Sequence, residues 1–120
     1  YAAYYDLSPE TQHNNVPFRF KQLLVENGHK ERSINYYASE LGISRVTLNK
    51  YIKMHFGITI SQMIMDHVVL EIKSLLLYTN FSIKEIADKL HFSEPNHLSR
   101  LFKSMTGMRP SIFRNKYTVL

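Results

Sequence analysis

The chain contains no cysteine. That excludes a disulfide framework and a thiolate zinc site, and it suits a reducing cytosol. No apolar run is long enough to span a bilayer, and no secretory signal opens the sequence. There is no glycine-rich phosphate loop. The six histidines, His13, His29, His55, His67, His91 and His97, form no His-x-x-x-His pair of the kind that binds zinc. No spacing of serine, histidine and aspartate marks a catalytic triad. These absences argue against an enzyme and leave no cofactor and no metal to expect.

Acid is missing locally as well. Residues 41–65 hold no aspartate or glutamate but do hold Arg45, Lys50 and Lys53. Residues 95–120 again hold none, beside Arg100, Lys103, Arg109, Arg114 and Lys116. The net charge of +5 is therefore unevenly placed, as expected where a polyanion docks. The 44% hydrophobic content supports a folded core, and 120 residues suffice for one compact domain or two very small ones.

What is present is a repeat. At an offset of 49 residues, Ser33 falls on Ser82, Ile34 on Ile83, Ala38 on Ala87, Leu41 on Leu90 and Ser44 on Ser93. From Leu48 onward the offset is 50: Leu48 falls on Leu98, Lys50 on Arg100, Ile52 on Phe102, Lys53 on Lys103, Gly57 on Gly107 and Ser61 on Ser111. One supersecondary unit is used twice, and the extra residue sits near an expected turn, where insertion is tolerated.

Local signals place the helices. A first helix starts near Pro17, with Phe20, Leu23 and Leu24 on one face and Gly28 as its stop. Ser33 caps a short helix ending near Leu41, and Gly42 suits a left-handed turn. Ser44 caps the next, which turns Leu48, Tyr51 and Ile52 inward and ends before Gly57. Ile60, Ile64, Val68, Ile72, Leu75 and Leu76 then make a stripe at helical spacing to about Tyr78, opened by a Thr59/Gln62 capping box. The methionines and leucines between Met63 and Leu77 read as core. Ser82 and Glu85 form a second capping box. Ile83, Ile86, Ala87 and Leu90 face inward, and Pro95 opens a helix carrying Leu98, Leu101 and Phe102. After Gly107, Pro110 starts a final helix to about Tyr117. No segment alternates as a strand does, so the expectation is an all-α fold of about seven helices, two helix-turn-helix subdomains joined by a long central helix.

Expected bounds are 17–57 for the first subdomain, 58–79 for the linker helix and 80–120 for the second. Residues 1–16 read as a linker or tail from an upstream region. A chain opening on Tyr1 reads as part of a longer protein.

Each unit pairs a short helix with a second helix across a tight turn. In the first copy, the second helix presents Arg45, Val46, Thr47, Asn49, Lys50 and Lys53. In the other it presents Asn96, His97, Ser99, Arg100 and Lys103, with Glu94 at its N-terminus, where an acid favours the helix dipole. Arginine and lysine pair with guanine, asparagine with adenine, and valine or threonine methyls touch the thymine methyl. Lys53 and Lys103 have a second reading as solvated surface lysines. The partner expected is double-stranded DNA, with no membrane involved. The competing reading is a helical module that offers its basic faces to an acidic protein.

The stretch "FSIKEIADKLHFSEPNHLSRLFKSMTGMRPSIFR" is similar across its length to the signature of the AraC family of bacterial transcription regulators, and the resemblance extends over residues 18–117. It implies recognition helices in successive major grooves. It places the base-facing positions on Val46, Asn49 and Lys50, then on Asn96, His97 and Arg100. It further implies contact with RNA polymerase, an effector bound by a region absent from this chain, and a cytoplasmic, nucleoid-associated location. Two departures stand out. His91 occupies a turn position that is often glycine, which predicts a turn that is strained or differently shaped. Val68 and Ile72 replace residues that are often Arg and Ala, which leaves a phosphate contact on the linker helix open.

Overall fold

The computed structural model describes residues 15–118. Among them run seven helices and no strand. The chain divides into two compact units, the first ending at Ile64 and the second beginning at Met65. The expected tail lies outside the described residues except for its last two positions. Of these, Val16 is not tail at all, being buried at the start of the first helix.

The first unit holds α1 (Val16–Asn27), α2 (Ile34–Leu41), α3 (Arg45–Phe56) and the opening turn of α4 (Ile60–Tyr78). Phe20 and Leu24 of α1 are buried with Tyr37, Leu48 and Ile52. Each full burial of such a side chain is worth about 1.5–3 kcal/mol relative to exposure. The Phe20 and Tyr37 rings meet edge to face at 5.2 Å. The Tyr37 hydroxyl donates to the Glu31 carbonyl at 2.7 Å, so the buried ring leaves no polar atom stranded. Gly28 does end α1, but at φ −61 it is an ordinary right-handed residue rather than a left-handed stop.

The turn between α2 and α3 follows from its end residues. Gly42 adopts φ +69, cheap only for glycine. Ser44 Oγ then accepts the Thr47 N–H at 3.0 Å, satisfying one of the orphan donors at the start of α3. Ala38, 4% exposed, lets the neighbouring helix approach closely.

The second unit holds the rest of α4, then α5 (Ile83–Lys89), α6 (Pro95–Thr106) and α7 (Pro110–Tyr117). Its core gathers Val68, Ile72, Leu76, Ile86, Leu98 and Phe102 around Ala87. Val68 and Ile72 are 2% and 0% exposed, so the side chains at the positions left open on the linker helix are core and not available to a phosphate. The Met63-to-Leu77 stretch is not core throughout, because Leu70 is 63% exposed on the opposite side of the helix.

Capping in this unit is explicit. Ser82 Oγ accepts the Glu85 N–H at 3.0 Å, and Glu85 Oε1 accepts the Ser82 N–H at 2.8 Å. The strain expected at His91 is present: at φ +58 it is the only non-glycine described residue with positive φ. The C-terminus of α4 is held from α7. Arg114 donates through Nε to the Leu76 carbonyl at 3.0 Å and through Nη2 to the Thr79 carbonyl at 3.3 Å. A cation on the last carbonyls of a helix satisfies orphan acceptors and the negative dipole end together.

Candidate nucleic-acid interface

In the first copy α3 leaves Arg45, Val46, Lys50 and Lys53 exposed. Val46 is 80% exposed, an apolar side chain held in water. Thr47 and Asn49 are half-buried and engaged locally. Thr47 Oγ1 accepts the Ser44 hydroxyl at 2.9 Å. Asn49 Oδ1 accepts the N–H of Ile60, the first residue of α4, at 3.2 Å.

In the second copy α6 exposes Asn96, His97, Arg100 and Lys103, while Ser99 is half-buried. His97 is tethered at both ring nitrogens. Nδ1 lies 2.8 Å from Ser93 Oγ, and Nε2 lies 3.5 Å from Glu94 Oε2. Such tethering orients the ring at the N-terminal end of the helix.

Beside each of these helices lies a hollow, and six lining positions of one correspond to six of the other. Ile34 and Ile83 line them on the side of the preceding helix. Val46 corresponds to Asn96, Asn49 to Ser99, Thr59 to Arg109, Ile60 to Pro110 and Ser61 to Ser111. No carboxylate lines either hollow. Arg45 charges the first, while Arg100, Lys103 and Arg109 charge the second. A concave, acid-free surface carrying cations and amide or methyl groups suits phosphate oxygens and base edges.

Arg109, Thr59, Ser61 and Ser111 were not among the interface residues expected from sequence. The signal was present in the Ser61–Ser111 match, because the repeat runs past the glycine stop into the first turn of the following helix. Arg114 moves the other way. It counts in the basic stretch, yet its guanidinium is committed to the end of α4. Among the described residues, no three His, Asp or Glu side chains gather to hold a metal ion, and no helix is long and apolar enough to cross a membrane.

A family model described as a helix-turn-helix domain matches residues 37–116. Among curated relatives, the uncharacterized HTH-type transcriptional regulator YfiF of Bacillus subtilis is 32% identical over 80 residues, 67% of this chain and 25% of that protein. The HTH-type transcriptional activator RhaR of Cronobacter sakazakii is 26% identical over 87 residues, 72% of this chain and 31% of that protein. The chain thus spans about a quarter to a third of the length of these two relatives. Among solved structures, the C-terminal domain of AraT, a response regulator from Geobacillus stearothermophilus, superposes with TM-score 0.82 at 24% identity, covering 95% of this chain and 90% of that one. The DNA-binding domain of AdpA, solved in complex with a target DNA, superposes with TM-score 0.76 at 23% identity, covering 84% and 91%.

Proposed function

Because the chain belongs to the AraC-type helix-turn-helix family of transcription regulators, we propose that it binds double-stranded DNA sequence-specifically, placing α3 and α6 in successive major grooves. The observation that carries this reading is the pair of matched, acid-free hollows beside two helices of equivalent position. In this reading Arg100 pairs with a guanine, Asn96 contacts a neighbouring base edge, and Arg45, Lys53, Lys103 and Arg109 hold phosphates. Lys50 serves the first copy as Arg100 serves the second, and Ser99 and Thr47 support the helices that carry the readers.

The chain spans only about a quarter to a third of the two curated relatives named above, so we place it as the output domain of a larger sensor. The effector site then lies in another region, and contact with RNA polymerase and a cytoplasmic, nucleoid-associated location belong to the same proposal. The family is one of DNA-binding regulators and not an enzyme class.

The test is selection of duplexes from a random pool at physiological salt, followed by sequencing. Two enriched motifs about one helical turn apart are expected. A single motif would reduce one copy to a phosphate clamp. Retention without any motif would leave only non-specific binding, and no retention would favour the acidic-protein partner.

A further inference from the structure

We infer that Asn49 is a positioning residue: it holds the start of α4 against the recognition helix, and base discrimination in the first copy rests on Val46 and Lys50. The inference builds on the DNA-binding reading and assigns roles within its first hollow.

Asparagine specifies adenine through both atoms of its amide, the oxygen accepting from N6–H and the nitrogen donating to N7. In Asn49 the oxygen faces the protein, 3.2 Å from the Ile60 N–H. The side chain is half-buried rather than extended from the helix. The partner it satisfies matters, because Ile60 is 1% exposed and its N–H, at a helix N-terminus, has no carbonyl four residues back within α4. Leaving such a donor unmet costs the desolvation of a polar group. Two residues on, the Gln62 N–H is met by Thr59 Oγ1 at 3.1 Å, so Asn49 and Thr59 cap the first turn of α4 together.

The second copy supplies an internal control. At the position of Ile60 stands Pro110, which has no N–H to satisfy. At the position of Asn49 stands Ser99, which has no amide. Donor and amide disappear as a pair, as expected if the amide is there for the donor. What remains outward in the first copy is Val46, 80% exposed, and Lys50. A valine at that station complements a thymine methyl.

The test compares Asn49→Asp, Asn49→Ala and Val46→Ala in the 120-residue chain, by thermal melting and by random-duplex selection. Asp keeps the acceptor and adds a charge favourable at a helix N-terminus. Its Tm should hold or rise, and its enriched motif should match wild type, whatever uniform affinity loss the charge causes. Ala should lower Tm by about 4–8 °C, the effect of losing one cap in a small domain, again without altering the motif. Val46→Ala should keep its Tm and lose preference for thymine at one base pair. The inference is overturned if Asn49→Asp abolishes the preference for one base at unchanged Tm, or if Asn49→Ala leaves Tm unchanged. The two readings fail separately: no wild-type motif would remove the DNA reading and the roles of Val46 and Lys50, while the melting data would still decide whether Asn49 caps α4.

Discussion

In the first copy the N–H of Ile60 is met by the side chain of Asn49, whereas fifty residues on Pro110 presents no N–H and Ser99 replaces the amide. The turn differs in the same manner. Gly42 takes φ +69 at no cost, while His91 takes φ +58 at the equivalent place. The caps differ too. Ser82 is locked by Glu85, but the third residue after Ser33 is Tyr36, which cannot reciprocate as a carboxylate does. The two units share one backbone path and satisfy its polar demands with different side chains. A repeat of this kind is held by geometry: where the chain turns recurs, and the residue that meets each polar demand, or removes it, is free to change.

The largest contrast expected is in reading. Arg100→Ala should weaken specific binding by about 1–3 kcal/mol and relax preference at one base pair, because a guanidinium pairs bidentately with guanine. Lys50→Ala, at the equivalent station, should lose affinity with a smaller change in preference, since an ammonium is a point charge. Equal loss of preference in both variants, measured on mismatch panels at fixed salt, would erase the distinction between the copies as readers.

The turns give a smaller, opposite pair. His91→Gly should stabilise the second unit by about 1 kcal/mol by releasing a left-handed non-glycine residue. Gly42→Ala should destabilise the first by a similar amount, through φ alone, because an added Cβ at Gly42 meets nothing within 4 Å. Denaturant melts of both variants check this. A loss of stability in His91→Gly would show that the imidazole contributes more than its backbone strain costs.

The caps give the smallest effect, visible in acid. The backbone N–H of Ser82, then its hydroxyl, hold the Glu85 carboxyl below the usual carboxylate range, with Lys89 adding to the shift. A depressed folded value stabilises above the unfolded pKa, near 4.5, and that contribution is lost as pH falls through the folded value. The Tm difference between wild type and Glu85→Gln should therefore shrink from about pH 6 to about pH 3. A constant difference would mean the charge of Glu85 does not hold the cap. Tyr36, the corresponding residue of the first copy, carries no carboxylate, so Tyr36→Phe should show no such narrowing.

Much of this was legible locally. The limits of α4, expected from about Ile60 to Tyr78, are the observed ones, because six apolar residues at helical spacing and a threonine cap need no distant partner. The Ser82–Glu85 box was legible for the same reason, with its two members three residues apart. The strain at His91 was legible only through the resemblance, which marked the position as one that is often glycine. Leu70 was misjudged, because composition alone does not say which side of a helix faces water. In the interface, the outward cations of α3 and α6 could be read from the repeat. The engagement of Asn49, the tethering of His97 and the arrival of Arg109 beside α6 could not.

The sequence by itself determined where helices begin and end, how the two copies are registered and which faces lack acid. Those properties rest on hydrophobic period, caps within three or four residues and the count of charges. Only the tertiary structure decided what Asn49 and Arg114 do, because their partners lie 11 and 38 residues away and are chosen by how helices pack. Packing set the Asn49 amide oxygen on a main-chain donor and drew Arg114 out of the basic stretch onto a helix end. Both outcomes follow from the same physical demand, that a polar group removed from water at a helix terminus must find a partner.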